Sequence, residues 1–476
     1  MSQIDLSPFM PGGFVHQWME LAREAHPDVV EKDPEATKLI GALLLEHVAK
    51  VFYNDFGSPP ATLFLVLVAK PRSGKGSLLR LADAVARRLG INVTGDVTPE
   101  ALAEELSEHW NTIQIWEDMG KSLTRRGKEY YSGLDKLLNN LYYLSPVTQR
   151  RKQAKSIYLR PRSYLFSFAW DTTPEEWGAV QEFLGGEMGF ARRVLPIRMS
   201  DEELPYFEFK RPSAEEAEDA AKRLMAMELI AHKLKDACFL VDLSALGRRD
   251  EEEGELERRI RRLEAERTEK SRISDYVKKL TALSIVDSMI RVREVGGRPE
   301  VEVDLSKAKE YRGRELLEAV ELDEDERPRP VELNAYEVGA NDEREARMKA
   351  LVIFDQLARR RTLLLADEDV HRYAELTKEL LRMRTATTKK EWWLKVMKGK
   401  KKRIVDEVLS TLEGIGVVNL VVIKKATYLL DPQAKVCGNC RKFMTPLCKL
   451  GMGAEAEGAW DDLLSEEVEE DCFEPR

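Results

Sequence analysis

The nine residues Ala69-Lys70-Pro71-Arg72-Ser73-Gly74-Lys75-Gly76-Ser77 carry the densest chemistry in the chain. They close a continuous apolar run, Leu63–Ala69, and open a helical pattern that continues to about Leu89. A loop between a buried strand and a helix turns backbone N–H groups and the positive end of the helix dipole toward an anion, so the context suits a phosphate. Gly74 and Gly76 let the backbone come close, Lys75 is spaced to reach the β- and γ-phosphates of a nucleotide, and Ser77 offers a hydroxyl to magnesium. Pro71, Arg72 and Ser73 complete the candidate nucleotide-binding loop. Two features depart from the usual spelling: Ala69 stands at the first glycine, and the hydroxyl comes two residues after the lysine.

Hydrolysis beside such a loop needs carboxylates. The strand pattern Ile113-Gln114-Ile115-Trp116 ends in Glu117-Asp118, where a carboxylate can hold magnesium and polarise the attacking water. Either is a candidate general base; by position, Glu117 is assigned to the metal and Asp118 to the water. A third strand, Tyr164–Trp170, runs into Asp171-Thr172, which would sit between the two phosphate-binding elements and orient water or sense the γ-phosphate. Arg192 and Arg193 offer guanidinium groups that a neighbouring subunit can donate to the transition state. Arg150, Arg151, Lys152 and Lys155 crowd a turn between two short strands within Ser145–Arg162.

These groups need a scaffold. The run at Leu63–Ala69 is that of a parallel strand covered on both faces. Strands alternating with helices up to about Met199 predict an α/β layer structure. Residues before it, with Phe14–Ala25 and Asp33–Phe52 at helical spacing, read as an N-terminal helical segment. The stretch after the core reads as a mostly helical lid, with a charge-dense solvated helix or coiled coil at Arg248–Lys270, an amphipathic helix at Ile273–Val292 and a small hairpin at Gly296–Val303.

Phosphate loop, acidic strand, helix Leu134–Tyr143, basic stretch, polar-ended strand and Arg-Arg pair follow in an order that resembles the AAA+ core of superfamily 3 helicases. It is also similar to related helicase-like ATPases of phages and plasmids, and more distantly to the minichromosome maintenance helicases. The resemblance covers about residues 60–200. It implies ATP with Mg2+ bound between subunits of a homo-oligomer, a hexamer, with Arg192 or Arg193 acting in trans. It implies that the Arg150–Lys155 turn is a hairpin gripping the DNA backbone in a central channel, each cation releasing counterions from phosphate. Asp171 and Thr172 stand where the family usually has Asn. No primase-like segment precedes the core, so a role in replication would be that of a separate ATPase.

Two further signals lie near the end of the sequence. Lys389–Arg403 holds eight basic residues in fifteen, and the helix, Gly414-Ile415-Gly416 stop and paired strand patterns after it are similar to a winged helix-turn-helix. Lys400, Lys401, Lys402 and Arg403 would face the major groove and Lys424-Lys425 would mark the wing, while Trp392 and Trp393 read as core. Cys437, Cys440, Cys448 and Cys472 form a clustered set able to make a tetrahedral Zn2+ site, or to hold an iron–sulfur cluster.

Composition bounds the rest. In 476 residues there are 84 acidic and 75 basic side chains, net charge -9, so any nucleic-acid contact must be a local patch. No run approaches the ~18 apolar residues of a membrane span, and no signal-peptide pattern opens the chain, so a cytoplasmic protein without membrane contact is expected. The expected fold is an α/β P-loop (AAA+) core at 59–200 after a helical segment at 1–58, with a helical lid at 201–368, a winged helix-turn-helix at 369–432 and a small four-cysteine metal-binding tail at 433–476. The leading expectation is a hexameric, ATP-hydrolysing DNA translocase or helicase of a virus or mobile element. The alternatives are a winged-helix replication initiator or regulator with an ATPase switch, a nucleotide kinase of the Gly-Lys-Gly-Ser type, or a packaging or defence ATPase.

Overall fold

The structure is a computed structural model. It describes residues 12–53, 60–126, 130–149, 156–184, 190–200, 213–243, 273–312, 316–322, 328–339, 373, 376–382, 386–397, 405, 408–409, 412, 418–423 and 426–430. The chain forms two compact units, Met1–Leu357 and Ala358–Arg476.

The first unit opens with three helices, α1 (Phe14–Ala25), α2 (Pro27–Lys32) and α3 (Pro34–Ala49), then a short strand β1 (Val51–Tyr53). A layer of alternating strands and helices follows: β2 (Phe64–Val68), α4 (Lys75–Arg88), β3 (Asn92–Thr94), α5 (Pro99–Glu108), β4 (Asn111–Trp116), α6 (Met119–Arg126), α7 (Leu134–Tyr142), a hairpin of β5 (Val147–Gln149) and β6 (Ile157–Leu159), β7 (Leu165–Thr172), α8 (Pro174–Phe183) and β8 (Leu195–Arg198). Its five strands lie in the order β3-β4-β7-β2-β8, every neighbouring pair parallel. All of β2 and all eight residues of β7 are buried, as a sheet covered on both faces requires. Phe64, Phe168 and Trp170 stack through its centre.

Helix α3 is joined to this sheet by buried polar groups. Glu46 accepts the Leu63 N–H at 2.8 Å, and His47 bonds Ser167 of β7 and Asn111 of β4. Burial holds the Glu46 carboxyl well above its usual range and drops the His47 imidazole to about 3, so the pair meets the sheet as neutral groups.

The stretch 201–368 departs from the helical expectation. Among the described residues it holds two α-helices, α9 (Ala214–Lys233) and α10 (Ile273–Asp287), a 3-10 turn at Leu305–Lys307, and seven strands: β9 (Ala237–Asp242), β10 (Ile290–Val295), β11 (Arg298–Val303), β12 (Ala308–Glu310), β13 (Val320–Leu322), β14 (Pro328–Pro330) and β15 (Asn334–Gly339). A second sheet runs β1-β9-β15-β12, with β1 and β15 parallel to β9 and β12 antiparallel to β15. β1 and β12 have three residues each and β12 and β15 are partly exposed, so their periodicity is weak; pairing with distant partners makes them strands. The expected hairpin is present as β10–β11, and Gly296 and Gly297 both take positive φ, +59° and +77°, as its two-residue turn demands. The charged segment Arg248–Lys270 lies outside the described residues.

In the second unit, helical residues at 376–382 precede strand β16 (Ala386–Thr388) and a helix α11 (Lys389–Trp392) that continues as a π-turn over Trp393–Met397. Val405, Val408, Leu409 and Leu412 are helical and buried, at the spacing of one helix face. A hairpin of β17 (Asn419–Ile423) and β18 (Ala426–Leu430) follows, and the sheet order is β16-β18-β17. Trp392 is fully buried, its Nε1 donating to Thr377 Oγ1 at 2.7 Å, and Trp393 packs partly buried against the same cluster, as the sequence predicts. Lys400, Lys401, Lys402, Arg403, Lys424, Lys425 and the four clustered cysteines lie outside the described residues.

Candidate functional site

At the carboxyl end of β2 the chain turns through the loop and enters α4 with Lys75 as its first residue. Gly74 caps the helix in the left-handed region at φ +90°, and Arg72 reaches φ +64° in the same turn. An arginine there is strained in a way that glycine is not, and such strain collects at ligand-binding loops. Lys75 is 7% exposed, and the Ser73 hydroxyl is buried with no hydrogen-bond partner. A buried lysine, an orphaned hydroxyl and a helix N-terminus without an acidic side chain in its first turn fit an anion such as a nucleotide phosphate.

The strand order places β7 between the loop strand β2 and the acidic strand β4. Asp171 is level with Leu67 on one side, and its predecessor Trp170 is level with Trp116 on the other, so Asp171 sits beside the Glu117-Asp118 turn. Asp171 Oδ1 accepts the Asp118 N–H at 2.6 Å. That bond holds Asp118 at φ +52°, which no glycine is present to relieve, and leaves its side chain exposed. Thr172, one residue on, is level with Val68; its carbonyl accepts the Ala69 N–H and its buried hydroxyl has no partner. Close packing reinforces the position, because a Cβ on Gly120 would come within 2.7 Å of that hydroxyl.

Glu117 lies over the first turn of α4. A Cβ on Gly76 would be 3.2 Å from its Oε2, and Arg80 Nη1 donates to the same oxygen at 2.9 Å. Arg80 is the residue the sequence reading missed, though its place three residues after Ser77 on one helix face was a readable signal.

Asp171 is 2% exposed, and its carboxyl is pushed up from 3.8 to about 6. Burial is the main cause; Lys75 and the Asp118 N–H pull it back down, and the negative charges of Asp118 and Glu117 add to the rise. A raised acid stabilises the folded state fully below the unfolded value, and that contribution is lost as pH rises through about 6. Asp171→Asn keeps an acceptor for Asp118 and removes the buried charge. In nucleotide-free, metal-free buffer the variant is therefore expected to gain stability over the wild type as pH rises from about 4 to 6, with a plateau near 3 kcal/mol above that. Thermal denaturation across that range tests it, and a difference independent of pH would remove Asp171 as the titrating group.

Arg193 is elsewhere. It closes a short 3-10 turn, Phe190–Arg193, before β8, and Leu195 pairs with Leu65, so it lies at the amino end of the sheet, away from the loop of its own chain. Its guanidinium lies over the Tyr143 ring at 5.3 Å and donates to that hydroxyl at 3.2 Å. The Arg192 side chain is outside the described residues, as are Arg150, Arg151, Lys152 and Lys155; the strands expected to frame those four are present and antiparallel. Among the described residues no group of His, Cys, Asp and Glu is set to hold a metal ion by itself, and no helix is long and apolar enough to cross a membrane.

No protein-family model matches the sequence, and the search of curated proteins finds no match. Solved structures that this chain resembles include the Orc1 protein of Aeropyrum pernix in complex with DNA, at 14% identity and a TM-score of 0.21, covering 87% of this chain and 93% of that one. They also include AMPPCP-bound DnaA from Aquifex aeolicus, at 12% identity and a TM-score of 0.20, covering 52% of this chain and 84% of that one. Scores this low carry no functional conclusion, which has to come from the residues of the site.

Proposed function

We propose that this chain is an ATP-hydrolysing, DNA-binding protein of the AAA+ type in which the nucleotide acts as a switch, as in a replication initiator or regulator. One observation carries the reading: Lys75 and Ser77 of α4, Glu117 and Asp118 after β4, and Asp171 of β7 converge at the carboxyl end of one parallel sheet. Ligands of open α/β sheets bind at this end. Bound MgATP supplies an activated phosphoanhydride and a cation that neutralises its oxygens. Lys75 and the loop N–H groups bind and orient the phosphates, and Ser77 and Glu117 provide the oxygen ligands for the cation. Asp118, fixed by Asp171, is placed to take the proton of an attacking water.

The DNA half of the proposal rests on the second unit. The order of helical residues, strand, helical turn, helical residues and hairpin, with the first strand beside the last, supports the reading as a winged helix-turn-helix. In that reading the helix ending at Leu412 lies in the major groove, with Lys400–Arg403 at its start and Lys424-Lys425 on the wing. The expected result is a defined footprint on duplex DNA that depends on ATP, with no strand separation. Lys401→Ala or Arg403→Ala should weaken binding to all duplexes and reduce the salt slope by about 1 each. Binding with an unchanged salt slope in both variants would take DNA contact away from this unit.

The β5–β6 hairpin favours a second reading, the hexameric translocase, because its two antiparallel strands flank the basic sequence Arg150–Lys155. Arg193, remote from its own loop, would then serve a neighbour's nucleotide after leaving Tyr143. ATP-driven strand separation together with a six-membered ring in ATP and single-stranded DNA would select this reading over the switch.

A further inference from the structure

We infer that Arg80 is a built-in cation that holds the two metal-binding side chains, Ser77 and Glu117, and is displaced when magnesium enters. The inference rests on the phosphate-loop reading above. Arg80 lies in the second turn of α4, and its side chain runs back toward the helix N-terminus. Nη1 is 2.9 Å from Glu117 Oε2 and Nη2 is 3.5 Å from Ser77 Oγ. Both guanidinium nitrogens lie within 3.8 Å of where a Cβ on Gly76 would stand. The guanidinium thus lies between the hydroxyl and the carboxylate that the site would offer a divalent ion.

A positive group folded over the start of a helix opposes the helix dipole, so the position does not serve α4 itself. Glu117 compensates the charge, and the pair is open to solvent, with the two side chains 64% and 40% exposed. An exposed ion pair of this kind is weak enough for a divalent cation to displace. The consequence is specific. Without metal, Arg80 keeps Glu117 over the first turn of α4; with metal, Glu117 exchanges one cation for another. Arg80 is a positioning residue that sets the metal concentration at which the site is completed.

The test uses the full chain with a non-hydrolysable ATP analogue and Mn2+ as a paramagnetic probe. Arg80→Met is expected to tighten Mn2+ binding to the protein–analogue complex by up to about fivefold, the scale of one exposed ion pair. Analogue affinity measured in EDTA should stay within about twofold of wild type on the same grounds. Arg80→Lys, which keeps the charge, should stay close to the wild-type Mn2+ affinity. Unchanged or weaker Mn2+ binding in Arg80→Met overturns the inference, as does loss of analogue in EDTA, which would make Arg80 a phosphate ligand. If the wild type fails to bind the analogue at all, the phosphate-loop reading itself falls, a distinguishable result.

Discussion

Lys75→Ala is expected to remove ATP hydrolysis, with kcat falling by at least about 10²-fold, the usual scale for losing one preorganised charged donor at a developing anion. Lys75 is the first residue of α4 and is 7% exposed, so its ammonium is held in a confined place beside the loop N–H groups. No other described basic side chain of the loop is as buried: Lys70 and Arg72 are both exposed. Its loss also takes from Asp171 the positive charge that holds the carboxyl down, and Asp171 is the acceptor that fixes Asp118. Both effects act in the same direction. DNA binding should be largely retained, because the basic residues assigned to it lie in other segments. Steady-state turnover and a filter-binding assay on the same preparation separate the two. A variant that hydrolyses ATP at the wild-type rate would show that the loop is not the catalytic site.

Trp18→Ala is expected to cost about 3–5 kcal/mol of stability, the range for deleting a buried aromatic. Trp18 is completely buried between α1 and α3, and its Nε1 donates to the Thr37 carbonyl at 2.7 Å. Its ring lies flush against Gly41, where a Cβ would be 2.5 Å from Cδ1. Gly41→Ala should therefore destabilise as well, by overpacking instead of a cavity. The effect reaches the site because α3 carries Glu46 and His47, which bond the backbone of Leu63 and the side chains of Ser167 and Asn111 beneath three strands of the sheet. Denaturant midpoints with unchanged slopes would measure both variants. If Trp18→Ala unfolds at the wild-type midpoint, the N-terminal helices do not support the five-stranded sheet.

Much of this layer was legible in the sequence. The strand patterns at Leu63–Ala69, Ile113–Trp116 and Tyr164–Trp170 became β2, β4 and β7, within two residues at each end, because strands covered on both faces are mostly apolar on both. The turn at Gly296-Gly297 was legible for a related reason: two consecutive positive φ angles leave few residue types to choose from. The second sheet was not legible. β1 is three residues long and follows a helix directly, and it becomes a strand only because β9 lies beside it. Lys50, at the junction, takes a left-handed φ of +48°, and its ammonium donates to the carbonyls of Val48, Leu234 and Lys235. Two of those three acceptors are remote in the chain, so nothing local to Lys50 announces them.

The sequence by itself determined the strand–loop–helix unit around Gly74-Lys75 on which the proposed phosphate loop rests, since that pattern is held within nine consecutive residues and needs only a strand before it and a helix after it. It also placed a polar group between the loop strand and the acidic strand, at Asp171 or Thr172. The tertiary structure decided which groups meet. The register of β7 sets Asp171 beside the Glu117-Asp118 turn, and the course of α4 brings Arg80 onto Glu117. Strand order and register depend on crossovers between segments far apart in the chain, and a one-residue slip would send Asp171 to the opposite face, so local spacing alone could not fix the outcome.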